Sequence, residues 1–233
     1  MAKRVAIVQS NYVPWKGYFD LIRLVDEFVL LDDAQFTKRD WRNRNIIKTA
    51  SGPQWLTIPV QVRGRYHQRI DETRVADPSW AVRHWATLRH AYSRAPAFAW
   101  AAAVLEPLYL GVGSDSLSRV NHRFLHGVCA ALGIKTPLTW STDYDAAGVS
   151  TDRLVDLCVQ AGATEYLSGP AARAYLDESK FEAEGVTVAW MDYAGYPEYP
   201  QLHPPFDHHV SIVDLLFNVG PEARSYLLTR ALV

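Results

Sequence analysis

The segment from Gln9 to Asn45 holds the densest group of side chains that could bind or transform a small molecule. Within this segment, residues 38–44 contain four cations, Lys38, Arg39, Arg42 and Arg44, which are opposed in that run only by Asp40. Arginine suits phosphate or carboxylate because its planar guanidinium donates two hydrogen bonds at once. The segment therefore predicts an anion-binding site, and the alternative is a charged loop in solvent.

Two carboxylates, Asp32 and Asp33, follow a short apolar run that is typical of a buried strand. A carboxylate in that position can act as a general base, or it can hold a ribose hydroxyl or an amine. Adjacent side chains of a strand point to opposite faces, so the two are not expected to form a paired acid and base. Asp33 is the candidate catalytic carboxylate. The alternative is a turn in which one aspartate caps a backbone N–H.

Two glycines stand where a predicted strand passes into a predicted helix. Gly17 follows Lys16 near the first strand, and the run Ser168-Gly169-Pro170, which is followed by Arg173, comes after a later one. The free N–H groups at a helix start attract anions. Both junctions are therefore candidate anion sites, and the alternative for Gly17 is an ordinary tight turn.

His84 is the candidate general base among the histidines, because it lies beside Trp80 and Trp85 on a predicted helix. The alternative is a half-buried histidine held by hydrogen bonds. No spacing of histidines and cysteines matches a zinc site, so no metal is expected. Cys129 and Cys158 lie on apolar helical stretches and are expected to pack in the core rather than act as nucleophiles.

Aromatic and amide side chains complete the candidate site. Trp15 and Trp41 are suited to stack on a base or a sugar ring. Tyr199 and Gln201 lie between prolines in a loop whose alternative role is a strap packed over the sheet edge. The candidate substrate-binding residues are Gln9, Asn11, Tyr12, Trp15, Lys16, Gly17, Gln35, Lys38, Arg39, Trp41, Arg42, Asn43, Asn45, Ser168, Tyr199 and Gln201.

The elements that must position these side chains alternate between strand and helix at both ends of the chain. Apolar runs predict strands at residues 5–9, 28–31, 137–141, 165–168 and 186–191. The pattern favours an open, mostly parallel Rossmann-like α/β sheet with helices on both faces. The carboxyl ends of neighbouring parallel strands meet at one edge, so the loop after Gln9 should lie beside Asp33.

Other runs predict a hairpin and several helices. The hairpin strands are residues 46–49 and 55–60, around a Ser-Gly-Pro turn. Helices are predicted at 77–92, 97–109 and 117–132, and later at 151–161, 170–184 and 211–218. We expect a single α/β domain over residues 1–233, with 77–133 as a helical insertion or lid.

Composition limits the classes of protein to consider. The 233 residues are 48% hydrophobic and 21% charged, with a net charge of -1, so no overall field attracts nucleic acid or a membrane surface. No run approaches the length of a membrane span, and the apolar part of the start is too short for a signal peptide. The expected location is the cytoplasm.

Several long motifs resemble the WbqC-like protein family. They are YVPWKGYFDLI, DDAQFTKRDWRNRN, YLSGPAARAYLD, YPEYPQL and VSIVDLLFN, and the resemblance covers nearly the whole chain. It implies a role in bacterial surface polysaccharide (O-antigen) or small-molecule biosynthesis. The implied chemistry is transfer of an aminoacyl or acyl group to an amino sugar, with an acyl carrier as a further partner.

The opening of the chain is also similar in arrangement to adenylate-forming nucleotidyltransferases such as pantothenate synthetase. A strand, a Pro-x-x-Gly-Tyr loop, a helix and a second strand occur in the same order. The His-x-Gly-His motif that grips phosphate in those enzymes is replaced by the run from Trp15 to Tyr18, which contains no histidine. ATP is therefore the cofactor only under this alternative.

Three hypotheses follow from these observations. The first is a transferase or amide-forming enzyme that acts on a phosphate-bearing substrate such as a nucleotide-activated amino sugar. The second is an ATP-dependent adenylate-forming ligase, which pyrophosphate exchange would reveal. The third is a non-catalytic nucleotide-sugar-binding protein, which would bind tightly without turnover.

Overall fold

The structure is a computed structural model that describes residues 2–227 of the chain. Its strands are β1 (Arg4–Val8), β2 (Glu27–Leu30), β3 (Arg44–Thr49), β4 (Gly52–Thr57), β5 (Leu138–Trp140), β6 (Glu165–Ser168) and β7 (Thr187–Trp190). Its α-helices are α1 (Lys16–Arg23), α2 (Trp80–Tyr92), α3 (Phe98–Leu110), α4 (Leu117–Ala131), α5 (Ser150–Gln160), α6 (Glu178–Ala183) and α7 (Ile212–Val219).

The five predicted parallel strands form one sheet, so the expected α/β fold is confirmed. The strand order is β5-β2-β1-β6-β7, and every neighbouring pair is parallel. The chain builds outward from β1 through β2 to β5 and then returns to the other side of β1 for β6 and β7. The order reverses between β1 and β6, which is the point where open sheets of this Rossmann-like kind bind ligands.

Alternate residues of the central strands enter two separate cores. Ala6 and Phe28 belong to the larger core, while Val5, Ile7 and Val29 belong to the smaller one. This division follows from the two-residue period of a strand, which sends successive side chains to opposite faces. Both faces are covered by helices, and that is why these strands are apolar throughout.

The hairpin and the middle helices lie between β2 and β5 in the sequence. Strands β3 and β4 pair antiparallel with Thr49 opposite Gly52, so the turn falls on Ala50 and Ser51 and the second strand begins earlier than predicted. The helix predicted from Asp77 begins at Trp80, because the Asp77 carboxylate binds the N–H and hydroxyl of Ser79 in a turn. The division into one domain with a lid stays a prediction.

The long helix predicted at 170–184 is wrong. Residues Pro170–Ala174 form a short 3-10 turn, and α6 begins separately after Asp177. The Asp177 side chain accepts a hydrogen bond from the Ser179 N–H and starts the new helix. No α-helix within residues 2–227 is long and apolar enough to cross a membrane.

Candidate functional site

A cavity of about 580 Å³ opens at the carboxyl ends of β1, β2 and β6. Gln9, Asp33 and Ser168 line it from the ends of those three strands. Its position is the point of strand-order reversal, and its volume is in the range of small-molecule sites. We call this cavity the crevice.

Asp33 lies in the crevice as one half of an ion pair. Its carboxylate binds the Arg153 guanidinium and accepts a hydrogen bond from the Ser141 hydroxyl at 2.6 Å. Arg153 also donates to the carbonyl of Ala146. In this arrangement the carboxylate orients an arginine toward the crevice and is not a free base.

Arg42 is the second arginine of the crevice. Its side chain is 13% exposed, donates to the Asn11 side-chain oxygen, and lies 3.7 Å from the Asp40 carboxylate. The Arg42 Nε is buried and has no hydrogen-bond partner among the described residues. A buried donor without a partner is costly, so this position of the Arg42 side chain carries a free-energy penalty.

The first turn of α5 also lines the crevice, through Val149, Ser150 and Arg153. No side chain caps this helix end, and Ser150 has a positive φ of 51°. Uncapped helix starts attract anions. Of the predicted anion junction at 168–173, Ser168 and Gly169 line the crevice and Arg173 does not, and the sequence-based prediction omitted Ser150 and Arg153. The place of α5 in the chain could have suggested Ser150 and Arg153. This helix connects β5, at one edge of the sheet, to β6, which lies beside the point where the strand order reverses.

Asp32, unlike Asp33, has a structural role. Its buried carboxylate accepts hydrogen bonds from the Ser10 N–H at 2.8 Å and from the Ser118 hydroxyl. Burial raises the pKa of Asp32, and these two hydrogen bonds oppose the rise. Asp32 therefore ties the end of β1 to α4, and the expectation that the two aspartates do not form a catalytic pair fits this geometry.

The space beside the helix start at Gly17 is occupied by the Trp15 side chain. A side-chain carbon added at Gly17 would lie 2.3 Å from the Trp15 indole, so the indole packs directly against this glycine. The Lys16 ammonium donates to the Pro197 carbonyl at 2.9 Å, and its burial lowers its pKa to about 8. These contacts match a structural turn better than an anion site.

The cluster of cations predicted at 38–44 is divided by the fold. Arg42 faces the crevice, whereas the other three cations, Lys38, Arg39 and Arg44, line a separate hollow of about 250 Å³ together with Asn43. Gln35 donates to the Tyr66 carbonyl at 3.1 Å and lies at the surface. Only one of the four predicted cations is thus brought to the ends of the strands.

A second cavity of about 210 Å³ gathers other predicted residues. We call it the aromatic pocket; its lining is Asn11, Pro14, Trp15, Trp41, Asn45 and His209. Trp41 is 42% exposed, and its ring packs on Trp55 with the centroids 5.4 Å apart. The predicted residues are therefore distributed over two cavities rather than one.

Tyr12 and His84 are buried away from both cavities in a chain of hydrogen bonds. His84 Nε2 lies 3.2 Å from the Thr57 carbonyl, which can only accept, so Nε2 carries the proton and Nδ1 accepts from the Tyr12 hydroxyl at 2.9 Å. The Tyr109 hydroxyl lies 2.7 Å from that of Tyr12. Burial lowers the pKa of His84 to about 4 and raises that of Tyr12. This matches the alternative of a structural histidine.

The loop that contains Tyr199 and Gln201 is held in a polar network. The Tyr199 hydroxyl donates to Asp214 at 2.8 Å, and Gln201 accepts from the Lys48 ammonium at 2.7 Å. Neither residue lines the crevice or the aromatic pocket. The contacts are those of the packed strap that was the alternative for this loop.

The two cysteines pack in the cores, as expected. Cys129 lies in the larger core and Cys158 in the smaller one, and burial raises the pKa of each thiol to about 12. A thiol that stays protonated at neutral pH is a poor nucleophile. Among residues 2–227, no group of three or more histidine, cysteine, aspartate or glutamate side chains could hold a metal ion.

Comparison with known proteins agrees with the motifs. The model of the WbqC-like protein family matches residues 9–226, a range that includes Arg42, Arg153 and both tryptophans of the aromatic pocket. The chain is 56% identical over 225 residues to the uncharacterized protein Rv1507c of Mycobacterium tuberculosis (strain ATCC 25618 / H37Rv), and the match covers 97% of each chain. No solved structure matches significantly. The chain therefore belongs to the WbqC-like protein family.

Proposed function

We propose that this protein is a transferase that binds a nucleotide-linked amino sugar in the crevice and forms an amide on the amine of that sugar. The observation that carries the proposal is the crevice at the reversal of strand order, where Arg42, Arg153 and an uncapped helix start converge. These groups are suited to the two phosphates of a nucleoside diphosphate.

Apolar and aromatic groups in the same crevice support a nucleotide rather than a bare phosphate. Leu154 and Tyr166 form part of its wall, and Tyr175, which is 72% exposed, lies at the rim. An exposed aromatic ring offers a face on which a base can stack. In a protein that binds the nucleotide without catalysis, Asp33 would instead hold a ribose hydroxyl, as the acidic residue after this strand commonly does in Rossmann-like folds.

The reaction we propose uses a thioester of an acyl carrier as the donor. The amine nitrogen attacks the thioester carbonyl carbon, the N–C bond forms, and the C–S bond breaks. The amine loses a proton to a carboxylate, for which Asp33 is the candidate once phosphate has drawn Arg153 away from it. The thiolate leaves with the electron pair and takes up a proton.

Both cysteines of the protein are free thiols, which fits a reducing cytoplasm.

One observation favours a second candidate function. Asp33 is paired with Arg153, and His84 lies outside the crevice, so neither predicted catalytic residue is a free base in this structure. A protein that binds a nucleotide sugar without transforming it would have the same arrangement, with Asp33 on the ribose. Asp33→Asn separates the two functions, because an enzyme should lose turnover more than binding.

Binding is tested with UDP, GDP, ADP, CDP and dTDP and with their hexose conjugates. A ligand well above its Kd should raise the Tm of the wild type. Arg153→Met should weaken binding of the best ligand about 10- to 150-fold, as expected for a lost hydrogen bond to a charged group. Arg173→Met is the matched control, because Arg173 is exposed and does not line the crevice.

Two results would contradict the proposal. One is the absence of any thermal shift or heat of binding with all of these nucleotides. The other is an equal loss of affinity in Arg153→Met and in Arg173→Met, which would place the ligand outside the crevice. Turnover is tested by mass spectrometry, by mixing the best amino-sugar nucleotide with an acyl thioester and searching for the amide.

A further inference from the structure

The aromatic pocket differs in chemistry from the crevice. Trp15 and Trp41 supply aromatic walls, and Asn11 and Asn45 supply amides. Among the described residues that line the pocket there is no lysine, arginine or carboxylate, and His209 at the rim lies 3.1 Å from Asp207. The pocket therefore suits a ring that has one apolar face and several hydroxyl groups.

One pair of residues joins the two cavities. Asn11 lines the aromatic pocket, Arg42 lines the crevice, and the Arg42 guanidinium donates to the Asn11 side-chain oxygen. The two cavities therefore lie on either side of a single hydrogen-bonded pair. A ligand that occupies both cavities would therefore pass this pair.

The loop that forms the pocket is held in an unusual backbone conformation. Val13 has a positive φ of 37°, which is an outlier for a β-branched residue. Three hydrogen bonds hold the loop there: Asn45 to the Tyr12 carbonyl at 3.1 Å, Ser211 to the Val13 carbonyl at 2.6 Å, and the Ile212 N–H to the Pro14 carbonyl at 2.9 Å. Strain that neighbouring residues maintain in this way is concentrated at ligand sites.

We propose that the aromatic pocket is the sugar subsite of the nucleotide-linked ligand, with the hexose ring against Trp41, its hydroxyl groups toward Asn11 and its amine on the side of the crevice, which Asp33 lines. This inference rests on the proposed function, because it assumes that the nucleotide part occupies the crevice. The C–H face of a hexose gains contact by packing on an indole, and the amide both donates and accepts hydrogen bonds. Arg42 and Asn11 set the distance between diphosphate and sugar.

The test compares one pair of ligands in two variants. UDP and UDP-N-acetylglucosamine, or the diphosphate and hexose conjugate that bind best, are titrated by calorimetry. Trp41→Ala should weaken binding of the sugar conjugate roughly 2- to 10-fold, the range for one lost aromatic contact, and leave the diphosphate unchanged. Tyr66→Ala is the control, because Tyr66 is a loop aromatic that is 74% exposed and lines neither cavity. Both ligands should bind this control like the wild type.

Other outcomes overturn the inference. An equal loss of affinity for the diphosphate and the conjugate would make Trp41 a structural residue, and unchanged affinity for both would place the sugar elsewhere. If no nucleotide binds, the proposed function fails, and the pocket is then tested alone with methyl glycosides by saturation-transfer NMR. Contacts that vanish in Trp41→Ala would support the subsite, and the absence of contacts in the wild type would refute it.

Discussion

His84 should make the protein less stable in acid, because its imidazole is held neutral. The ring donates to the Thr57 carbonyl and accepts from the Tyr12 hydroxyl, and a protonated ring could not accept. Burial lowers the pKa of His84 from 6.5 to about 4. Between these values the unfolded chain binds a proton that the folded chain does not, so this part of the stability is lost as pH falls from 6.5 to 4.

The size of the loss follows from the pKa shift. Each unit of difference between the folded and unfolded pKa corresponds to about 1.4 kcal/mol, so the shift of His84 amounts to about 3 kcal/mol when it is lost in full. By the same relation about 2 kcal/mol should already be lost at pH 5. The perturbation is His84→Gln, which retains a hydrogen-bond donor and acceptor but has no group that titrates in this range.

The assay is urea unfolding of both proteins at several pH values between 7 and 4, followed by tryptophan fluorescence. The wild type should be the more stable at pH 7, and its advantage over His84→Gln should shrink by about 2 kcal/mol at pH 5. His90→Gln, an exposed histidine on the same helix, is the control for removal of a histidine.

A difference in stability that does not change with pH would refute this account of His84. So would an NMR titration in which the folded His84 imidazole changes its charge near pH 6.5.

Three further predictions concern packing and reactivity. Gly17→Ala should lower the Tm and change the tryptophan emission, because the added carbon would collide with the Trp15 indole and overpacking costs about 1–3 kcal/mol. Asp32→Ala should cost about 1–3 kcal/mol for each donor left unpaired, measured by urea unfolding, and a stability equal to wild type would contradict its anchoring role. Cys129 and Cys158 should react with a thiol reagent only after unfolding, since burial keeps both thiols protonated; rapid labelling of the native protein would contradict this.

The central strands could be predicted because their pattern is local. An apolar run buried on both faces marks β1, β2 and β6 without knowledge of any partner strand. Helix boundaries were less accurate where an aspartate forms a turn or starts a new helix. Asp77 shifts the start of α2 toward the C-terminus, and Asp177 interrupts the predicted 170–184 helix. In both cases the aspartate side chain accepts a hydrogen bond from a backbone N–H group, in competition with a continuous helix.

The pattern of residues along the chain was enough to predict that polar residues end the first two strands, and hence that Gln9, Asp33 and Arg42 lie near one edge of the sheet. Which cations reach that edge depends on how the elements pack in three dimensions. Arg153 lies 120 residues from its partner Asp33, and the strand order places them together. Likewise, the Gly17 junction has the local pattern of an anion site, and packing of Trp15 fills it. Periodicity depends on neighbours in the chain, whereas ion pairs and filled spaces depend on how distant elements pack.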